Sequence, residues 1–474
     1  MEFEIVIGLE IHAELLTATK IFCGCPAKFG AAPNTHGCPV CLGMPGSLPV
    51  LNRKVVEMAI RMGLAVNCTI NRRSVFARKN YFYPDLPKGY QISQYDMPLC
   101  ENGAIEIAAN GTKKTIRITR IHLEEDAGKL IHDQDADSLF DVNRCGTPLI
   151  EIVTEPDLRN AQEAYAYLTA IKQILQYLGI CDCNMEEGSL RCDANISLRP
   201  ARVEKLGTKT ELKNMNTFRG VEKALEYEAL RQKDALTHGE AIVQQSFRWD
   251  GETGRTVAMR SKEDAHDYRY FPEPDLMPLI VEKEWIDRVK STMPELPEDK
   301  RARFVEAFGI TPYMAEVLTL EPDIAAYFEE TIAFCKDAKT VANWIMGEIL
   351  RLTKESKLAV RTLKITPRRL GTLCGLLLSG AISGNVAKRV FDLIETQDKD
   401  PDIIVDEQGL TQISDIDELE TMVRGVLSRS PKEIERYRAG EKKLESYFVG
   451  QVMKMTKGNG NPKEISKLVT SLLG

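Results

Sequence analysis

The sequence of 474 residues has no long apolar run. None of its hydrophobic stretches approaches the roughly 20 residues that a membrane-spanning helix needs, which excludes a helical membrane protein. A repeat of fixed period and a low-complexity tract are also absent. The pattern G-x-x-x-x-G-K-[ST] does not occur, so a P-loop nucleotide site has no support. With 43% hydrophobic and 28% charged residues, the composition is that of a soluble globular protein.

Basic residues are outnumbered by acidic ones, 62 against 69, and a net charge of −7 does not indicate a nucleic-acid binder. The average conceals a reversal near the end of the chain. Residues 400–420 hold eight acidic residues and no basic one, whereas residues 424–467 hold eleven basic and five acidic residues, a balance of 11 − 5 = +6. This reversal predicts a flexible acidic linker that leads into a separate basic module.

The first residues, Met1-Glu-Phe-Glu, are acidic and strand-like, so we expect no secretory or transit peptide. A long chain without such a leader predicts a cytoplasmic location and reduced thiols for its twelve cysteines.

Hydrophobic periodicity predicts an α+β body. Residues 5–13 alternate with a period of two, so Glu10 and His12 share one strand face about 7 Å apart. Further strands are predicted at 114–123, 148–153 and 190–198, and helices at 53–65, 160–178 and 217–232. From about residue 296 helical spacing prevails. We therefore expect a body at 1–294, a helical connector at 295–405 and a small basic helical tail at 406–474.

Three consecutive carboxylates, Glu124, Glu125 and Asp126, follow a strand-like run. Like charges this close repel one another, so they are tolerated in water or around a cation. Oxygen ligands suit Mg²⁺, and a solvated acidic turn is the alternative.

Other polar clusters in the body supply both kinds of group that phosphoryl transfer uses. The candidates for binding a cation are Glu10, His12, Glu124, Glu125, Asp193 and Glu211. The candidates for binding phosphates are Lys79, Lys88, Arg191, Lys213 and Arg269. For each cluster taken alone, ordinary surface exposure is the alternative.

Two cysteine pairs, Cys23-x-Cys25 and Cys38-x-x-Cys41, lie twelve residues apart in a turn-rich segment. Soft thiolates in two close pairs fit a tetrahedral Zn²⁺ site, and His36 could replace one of them. Reduced, unliganded thiols are the alternative.

The tail carries lysines that could contact a phosphate backbone or simply face solvent. They are Lys442, Lys443, Lys454 and Lys457.

Several long motifs closely resemble the B subunit family of aspartyl/glutamyl-tRNA amidotransferases (GatB). The resemblance runs over essentially the whole chain, and its motifs are Gly8–His12, Tyr81–Gln94, His122–Lys129, Asn143–Asp157, Gly188–Arg199 and Asp267–Leu276. The related GatE protein carries a synthetase-like insertion, for which this chain has no room.

The resemblance implies a cradle with a glutamine-synthetase-like fold that uses ATP and Mg²⁺ to phosphorylate the side-chain carboxylate of Glu on tRNA(Gln) or Asp on tRNA(Asn). Ammonia released from glutamine by an amidase partner, the A subunit, then displaces the phosphate. A small C subunit supports the complex, and the helical domains hold the tRNA. The enzyme class implied is a carbon–nitrogen ligase with glutamine as amido donor.

The expected catalytic residues are Glu10, His12, Glu125, Asp193 and Glu211. The expected Mg²⁺ ligands are Glu10, His12, Glu124, Glu125 and Glu211, and the five basic residues are expected to bind the nucleotide. No amidase Ser-Ser-Lys arrangement is present, so the ammonia source should be another polypeptide. Two alternatives are a small-molecule carboxylate–amine ligase of glutamine-synthetase type and a non-enzymatic, zinc-bearing tRNA adaptor.

Overall fold

The computed structural model describes residues 2–131, 137–259, 268–413, 415–456 and 460–474. The chain divides into two compact units, Met1–Pro297 and Glu298–Gly474. The boundary lies close to residue 294, where we expect the α+β body to end.

The first unit is built on strands, and the four strands expected from the sequence are confirmed as β1, β7, β10 and β11. The strands are β1 (Phe3–Glu14), β2 (Thr69–Ile70), β3 (Arg73–Ser74), β4 (Ala77–Asn80), β5 (Tyr90–Ser93), β6 (Cys100–Ala109), β7 (Thr112–Glu125), β8 (Lys129–Ile131), β9 (Leu139–Asp141), β10 (Pro148–Thr154), β11 (Leu190–Pro200), β12 (Thr210–Lys213), β13 (Ser246–Asp250), β14 (Arg255–Ala258), β15 (Phe271–Pro272) and β16 (Leu279–Ile280).

Helices α1 to α3 confirm the three helices expected in this unit. The helices are α1 (Arg53–Ala65), α2 (Ala161–Tyr177), α3 (Phe218–Thr237) and α4 (Lys283–Ser291). Asn160 caps α2, since its side-chain oxygen accepts a hydrogen bond from the Glu163 amide at 2.8 Å. Its side-chain nitrogen donates to the Glu163 carboxylate at 3.1 Å, so both groups are satisfied.

In the described residues the main sheet has nine strands in the order β14-β13-β12-β11-β1-β10-β7-β6-β2. Neighbours are antiparallel except β12 and β13, which are parallel. The central strand β1 lies between β11 and β10. Residues far apart in the sequence are therefore neighbours across the middle of the sheet.

The two sides of β1 face different surroundings. Ile7, Leu9 and Ile11 are buried in a core shared with Leu168 and Ile171 of α2. The other side carries Glu10 and His12, as the alternation predicts. One side of the sheet is thus covered by helices, and the other side carries the polar groups.

The second unit is helical, and the mixed α/β body followed by a helical region is confirmed. Its helices are α5 (Pro297–Phe308), α6 (Pro312–Leu318), α7 (Pro322–Ile332), α8 (Ala338–Trp344), α9 (Leu350–Ser356), α10 (Pro367–Leu378), α11 (Gly384–Gln397), α12 (Pro401–Glu407), α13 (Ile416–Ser428), α14 (Pro431–Arg438), α15 (Leu444–Met455) and α16 (Pro462–Leu473). A π-helical turn, Ile345–Ile349, joins α8 to α9.

The flexible linker expected at 400–420 is wrong over most of that stretch. Residues 401–407 form α12, whose Ile404 and Val405 are buried, and residues 416–420 begin α13. The acidic side chains of these helices point mainly to solvent, so the high acidic charge of this stretch does not prevent helix formation.

The last four helices share a core of their own, formed by Leu419, Val423, Val426, Leu427, Tyr437, Phe448, Val452, Ile465, Val469 and Leu473. None of the helices in the described residues is both long enough and apolar enough to cross a bilayer.

Candidate active site and metal centres

A row of four polar residues crosses the centre of the main sheet. His12 of β1 is paired with Arg191 of β11 on one side and with Glu151 of β10 on the other. Glu151 is in turn paired with His122 of β7. Paired residues of antiparallel strands point to the same face, so these side chains converge on the side opposite the helices.

Three side chains on this face form a group that we call the three-ligand group: His12, Glu124 and Glu151. The His12 Nε2 atom lies 3.5 Å from a carboxylate oxygen of Glu124 and 3.5 Å from one of Glu151. One ligand atom from each residue lies within 4.8 Å of the others. Both carboxylates are buried, so their charges need a nearby positive group.

His122 supplies one such group from within the sheet. Its Nε2 atom is 3.2 Å from Glu151 and 3.7 Å from Glu124. Burial opposes the imidazolium, but the Glu151 and Glu124 carboxylates raise the pKa of His122 to about 9. Conversely, burial works against ionisation of Glu151, yet the charge of His122 and a hydrogen bond to His12 hold its pKa well below the usual value.

Glu10 lies beside a second carboxylate group on the same face. Asn195 donates a hydrogen bond to Glu10 at 2.9 Å. The Lys213 ammonium bridges Asp193 at 2.8 Å and Glu211 at 2.9 Å. Burial raises the pKa of Glu10, and the charge of Glu211 adds to this effect. The structure thus brings Glu10, Asp193, Glu211 and Lys213 together, two residues along the strand from His12.

Lys79 faces the three-ligand group from β4. Burial opposes its charge, but Glu124 and Glu151, with Tyr270, raise the pKa of the Lys79 amine. The Lys79 Nζ atom is also 4.8 Å from the centre of the Tyr268 ring. The ammonium is therefore held near the Glu124 and Glu151 carboxylates.

Glu125 is placed apart from the three-ligand group. It forms an ion pair with Lys88, and the Ile92 amide donates to the same carboxylate oxygen at 2.8 Å. Both side chains line a cavity of about 140 Å³ that also contacts Cys41. Successive strand residues point in opposite directions, so Glu125 leaves the face that Glu124 occupies.

The remaining residues predicted to bind phosphates either form ion pairs or are exposed to solvent. Arg191 pairs with Asp126 at 2.9 Å, and Arg144 pairs with the same carboxylate oxygen at 3.2 Å. Arg269 has an exposed side chain and a left-handed backbone with φ of 43°. Asp267, the first residue of its motif, lies outside the described residues.

The four predicted zinc ligands converge. The sulfur atoms of Cys23, Cys25, Cys38 and Cys41, which we call the cysteine centre, lie within 4.8 Å of one another. The Cys38 and Cys41 sulfurs are 3.8 Å apart. Tetrahedral zinc with Zn–S bonds of about 2.3 Å places its sulfurs about 3.8 Å apart, so the thiols present fit this ion.

Backbone contacts support the cysteine centre. The Cys38 amide donates to the Cys41 sulfur at 3.1 Å. A hydrogen bond from the Cys23 thiol, with this amide and the Lys20 charge, lowers the pKa of Cys41 to about 4 against the effect of burial. His36 contributes its backbone, whose amide donates to the Asn143 side chain at 2.8 Å.

The tail lysines that the structure describes are exposed. Lys442 also lies over the Tyr437 ring at 4.1 Å. Lys443 and Lys454 extend from the two ends of α15. Lys457 lies outside the described residues.

Two residues of the site, Glu151 and His122, have no role in the prediction from sequence. Glu151 is the single charged residue in the apolar run Pro-Leu-Ile-Glu-Ile-Val at 148–153, and His122 lies between Ile121 and Leu123. An ionisable side chain inside a buried strand is costly unless it is paired. This signal was available in the sequence, although the partners were not.

Comparisons with known proteins show which family the chain resembles along its length. Residues 5–287 match the family described as the GatB/GatE catalytic domain, and residues 326–473 match the GatB domain. The aspartyl/glutamyl-tRNA(Asn/Gln) amidotransferase B subunit of Thermodesulfovibrio yellowstonii is 55% identical over 473 residues and covers 100% of both chains. The proteins of that name from Chlorobium limicola and Thermoanaerobacter sp. are 52% and 53% identical over 473 and 469 residues, with 100% and 99% of each chain covered.

Proposed function

Since the chain belongs to the family of aspartyl/glutamyl-tRNA(Asn/Gln) amidotransferase B subunits, we propose that the polar face of its main sheet activates the carboxylate substrate. The chain is one component of a glutamine-dependent carbon–nitrogen ligase that converts Glu-tRNA(Gln) and Asp-tRNA(Asn) to Gln-tRNA(Gln) and Asn-tRNA(Asn). It acts with an amidase, the A subunit, and with a small C subunit. We propose that the chain carries out this role in translation in the cytoplasm.

Activation is required because a carboxylate is a poor electrophile. Its negative charge repels a nucleophile, and an oxide group cannot leave. Transfer of the γ-phosphoryl group of ATP to the side-chain carboxylate gives an acyl phosphate and ADP. Ammonia then adds to the acyl carbon, loses a proton, and expels inorganic phosphate to leave the amide.

His12, Glu124 and Glu151 are the residues that would hold Mg²⁺. When bound, the ion neutralises charge on the transferring phosphoryl group. Two carboxylates and one imidazole are a fitting donor set, although imidazole is the less usual ligand for so hard an ion. His122 orients Glu151 from the neighbouring strand β7, since its Nε2 atom lies 3.2 Å from that carboxylate.

Charged residues around this group would bind the rest of the substrate. The Lys79 ammonium lies where it can donate to equatorial phosphoryl oxygens. Asp193 and Glu211 pair with Lys213, and together with Glu10 they offer oxygen ligands for a second cation or hydrogen-bond acceptors for the incoming ammonia. The proposed catalytic set therefore keeps Glu10, His12, Asp193 and Glu211 and places Glu151 where Glu125 was expected.

The observation that carries this proposal is the convergence of one atom each from His12, Glu124 and Glu151 within 4.8 Å, from three adjacent strands. An isotope experiment on the assembled complex tests it. If Glu-tRNA(Gln) labelled with ¹⁸O in the glutamate side-chain carboxylate is amidated, one ¹⁸O atom should appear in the phosphate released. Unlabelled phosphate would show that the carboxylate was never phosphorylated.

Four finer assignments are proposed with it. The cysteine centre holds structural Zn²⁺, supported by the 3.8 Å separation of two of its sulfurs. The first unit has a glutamine-synthetase-like fold, supported by a largely antiparallel sheet with carboxylates on its open face. The connector and tail divide near residue 405, supported by the separate core of the last four helices. The tail binds tRNA through exposed Lys442, Lys443 and Lys454.

Two measurements distinguish the proposed function from the two other candidates: turnover after removal of the tail, and cleavage of ATP. A small-molecule ligase of glutamine-synthetase type would retain full turnover in a complex in which this chain ends at residue 410. A zinc-bearing tRNA adaptor would bind tRNA without any Mg²⁺-dependent cleavage of ATP. The proposed enzyme would lose amidation of tRNA when the tail is removed. With the tail present, it would cleave ATP in a Mg²⁺-dependent reaction.

A further inference from the structure

Lys20 is a fully buried lysine next to the cysteine centre. None of its surface is exposed. Its Nζ atom donates to the carbonyl oxygen of His36 at 2.6 Å and to that of Val142 at 3.4 Å, and it lies 3.8 Å from the Cys41 sulfur. Lysine is almost never fully buried without a partner, because its ammonium loses its hydration. In the described part of the chain no carboxylate forms an ion pair with Lys20, so the negative partner must be the cysteine centre.

The charge of a loaded cysteine centre explains this arrangement. Four thiolates around one Zn²⁺ ion carry a net charge of −2, and Cys41 is itself buried. We propose that Lys20 is a positioning residue of the cysteine centre, where its ammonium offsets the excess thiolate charge and fixes Cys41 against the turn at Val142. This inference rests on the zinc proposed above.

Contacts around Lys20 show why the position suits a lysine. Its aliphatic stem runs past Gly146, where an added Cβ would lie 3.6 Å from the Lys20 Cδ atom. The compact ammonium reaches two carbonyls and a sulfur at the end of this stem. A planar guanidinium is larger and would not occupy the same volume.

Lys20 also connects the cysteine centre to the segment that precedes β10. The Val142 amide donates to the Asn34 side chain at 2.8 Å, which joins the same two segments. Further along, the Gly146 amide donates to the Asp126 carbonyl at 2.9 Å. Asp126 directly follows β7, so these hydrogen bonds connect the cysteine centre to the strand that carries Glu124.

Zinc release from the full-length protein tests the inference. Lys20→Met keeps the stem and removes the charge, and Lys28→Met is the matched control, because Lys28 is exposed in the same segment. Outer-sphere partners of a metal are typically worth about 10–100-fold in metal affinity. We therefore expect zinc transfer to a chelator to become about 10–100-fold faster in Lys20→Met and to stay unchanged in Lys28→Met. Substitution with Co²⁺ should also shift the sulfur-to-cobalt absorption band in Lys20→Met alone.

The outcomes separate this inference from the zinc proposal. If the unmodified protein holds zinc and Lys20→Met releases it at the same rate, the role of Lys20 is overturned and zinc stands. If the unmodified protein holds no thiolate-bound zinc, both are overturned. Should Lys20→Met fail to fold, acetylation of the unmodified protein decides. Removal of zinc should then make Lys20 reactive while leaving Lys28 unchanged, and an unreactive Lys20 would overturn the inference.

Discussion

At the scale of single residues, the site contains buried charged side chains that are stable only because oppositely charged groups lie beside them. Glu124 and Glu151 are both buried, and each lies within 4 Å of His12 and His122. The two negative charges of the carboxylates are neutralised when both imidazoles are protonated. A bound cation can supply the same positive charge instead. The same atoms can therefore stay buried without a metal, and under the proposed function they would bind a divalent ion.

Replacing Glu151 tests the assignment of the metal ligands. Glu151→Gln keeps the size of the side chain but removes one charged ligand. Loss of even an outer-sphere partner costs about 10–100-fold in metal affinity, so we expect at least a roughly hundredfold loss of apparent Mg²⁺ affinity. The measurement is ATP cleavage by the assembled complex in a Mg²⁺ titration. Glu155→Gln is the control, since the Glu155 carboxylate accepts a hydrogen bond from Thr119 at 2.8 Å and lies outside the group. Equal Mg²⁺ dependence of the two variants would refute the assignment.

The raised pKa of His122 predicts how stability depends on pH. Its pKa is about 9 in the folded protein, against about 6.5 in an unfolded chain. The imidazolium therefore stabilises the first unit fully below pH 6.5, and this contribution, up to about 3 kcal/mol, is lost as the pH rises to 9. Urea unfolding without added Mg²⁺ should show this loss in the original protein and a flatter profile in His122→Gln. His238→Gln, at an exposed position, should change the profile far less than His122→Gln does.

At the scale of secondary-structure elements, the local sequence pattern predicted individual strands, but it did not predict which strands pair. Alternation over 5–13 was enough to predict β1 and to place Glu10 and His12 on one face. The position of Glu151 beside His12 depends on β10 lying next to β1, which is a long-range pairing that no local pattern encodes. The run of three acidic residues suggested one cluster, but strand geometry sends Glu124 and Glu125 to opposite sides.

The core of the tail gives a prediction at the same scale. Phe448 of α15 is fully buried among the last four helices, and Phe→Ala in a core typically costs 3–5 kcal/mol. Phe448→Ala should therefore increase hydrogen exchange in α13, α15 and α16 while the amides of β1 stay protected. Tyr447→Ala, at the neighbouring residue with 41% exposure, should change exchange little. Increased exchange in β1 as well would mean that the tail core is not independent.

At the scale of the whole molecule, charge is distributed unevenly along the chain, with an acidic stretch at 400–420 followed by a basic stretch at 424–467. The net charge of −7 conceals this unevenness, because basic residues outnumber acidic ones by eleven to five in 424–467. A polyanionic tRNA is attracted only where positive charge is exposed. The exposed lysines of 424–467 therefore support the proposal that the tail binds tRNA.

The tail lysines predict the salt dependence of tRNA binding. If Lys443 and Lys454 each contact a phosphate, replacing both with Ala should weaken binding and reduce the slope of log K against log salt by up to about two. Lys399→Ala is the control, because Lys399 already pairs with Glu407 at 2.6 Å. Binding isotherms of the complex at several salt concentrations measure the slope. An unchanged slope in the double variant would place the tRNA elsewhere.

The most direct test of the central claim is the coordination of Mn²⁺ bound in place of Mg²⁺ with ATP in the assembled complex. Pulsed electron paramagnetic resonance detects nitrogen directly bonded to Mn²⁺. We predict a ¹⁴N coupling from the His12 imidazole that disappears in His12→Gln and persists in His238→Gln. Bound Mn²⁺ without a nitrogen coupling, or a coupling that survives His12→Gln, would contradict the proposal that His12, Glu124 and Glu151 hold the catalytic cation.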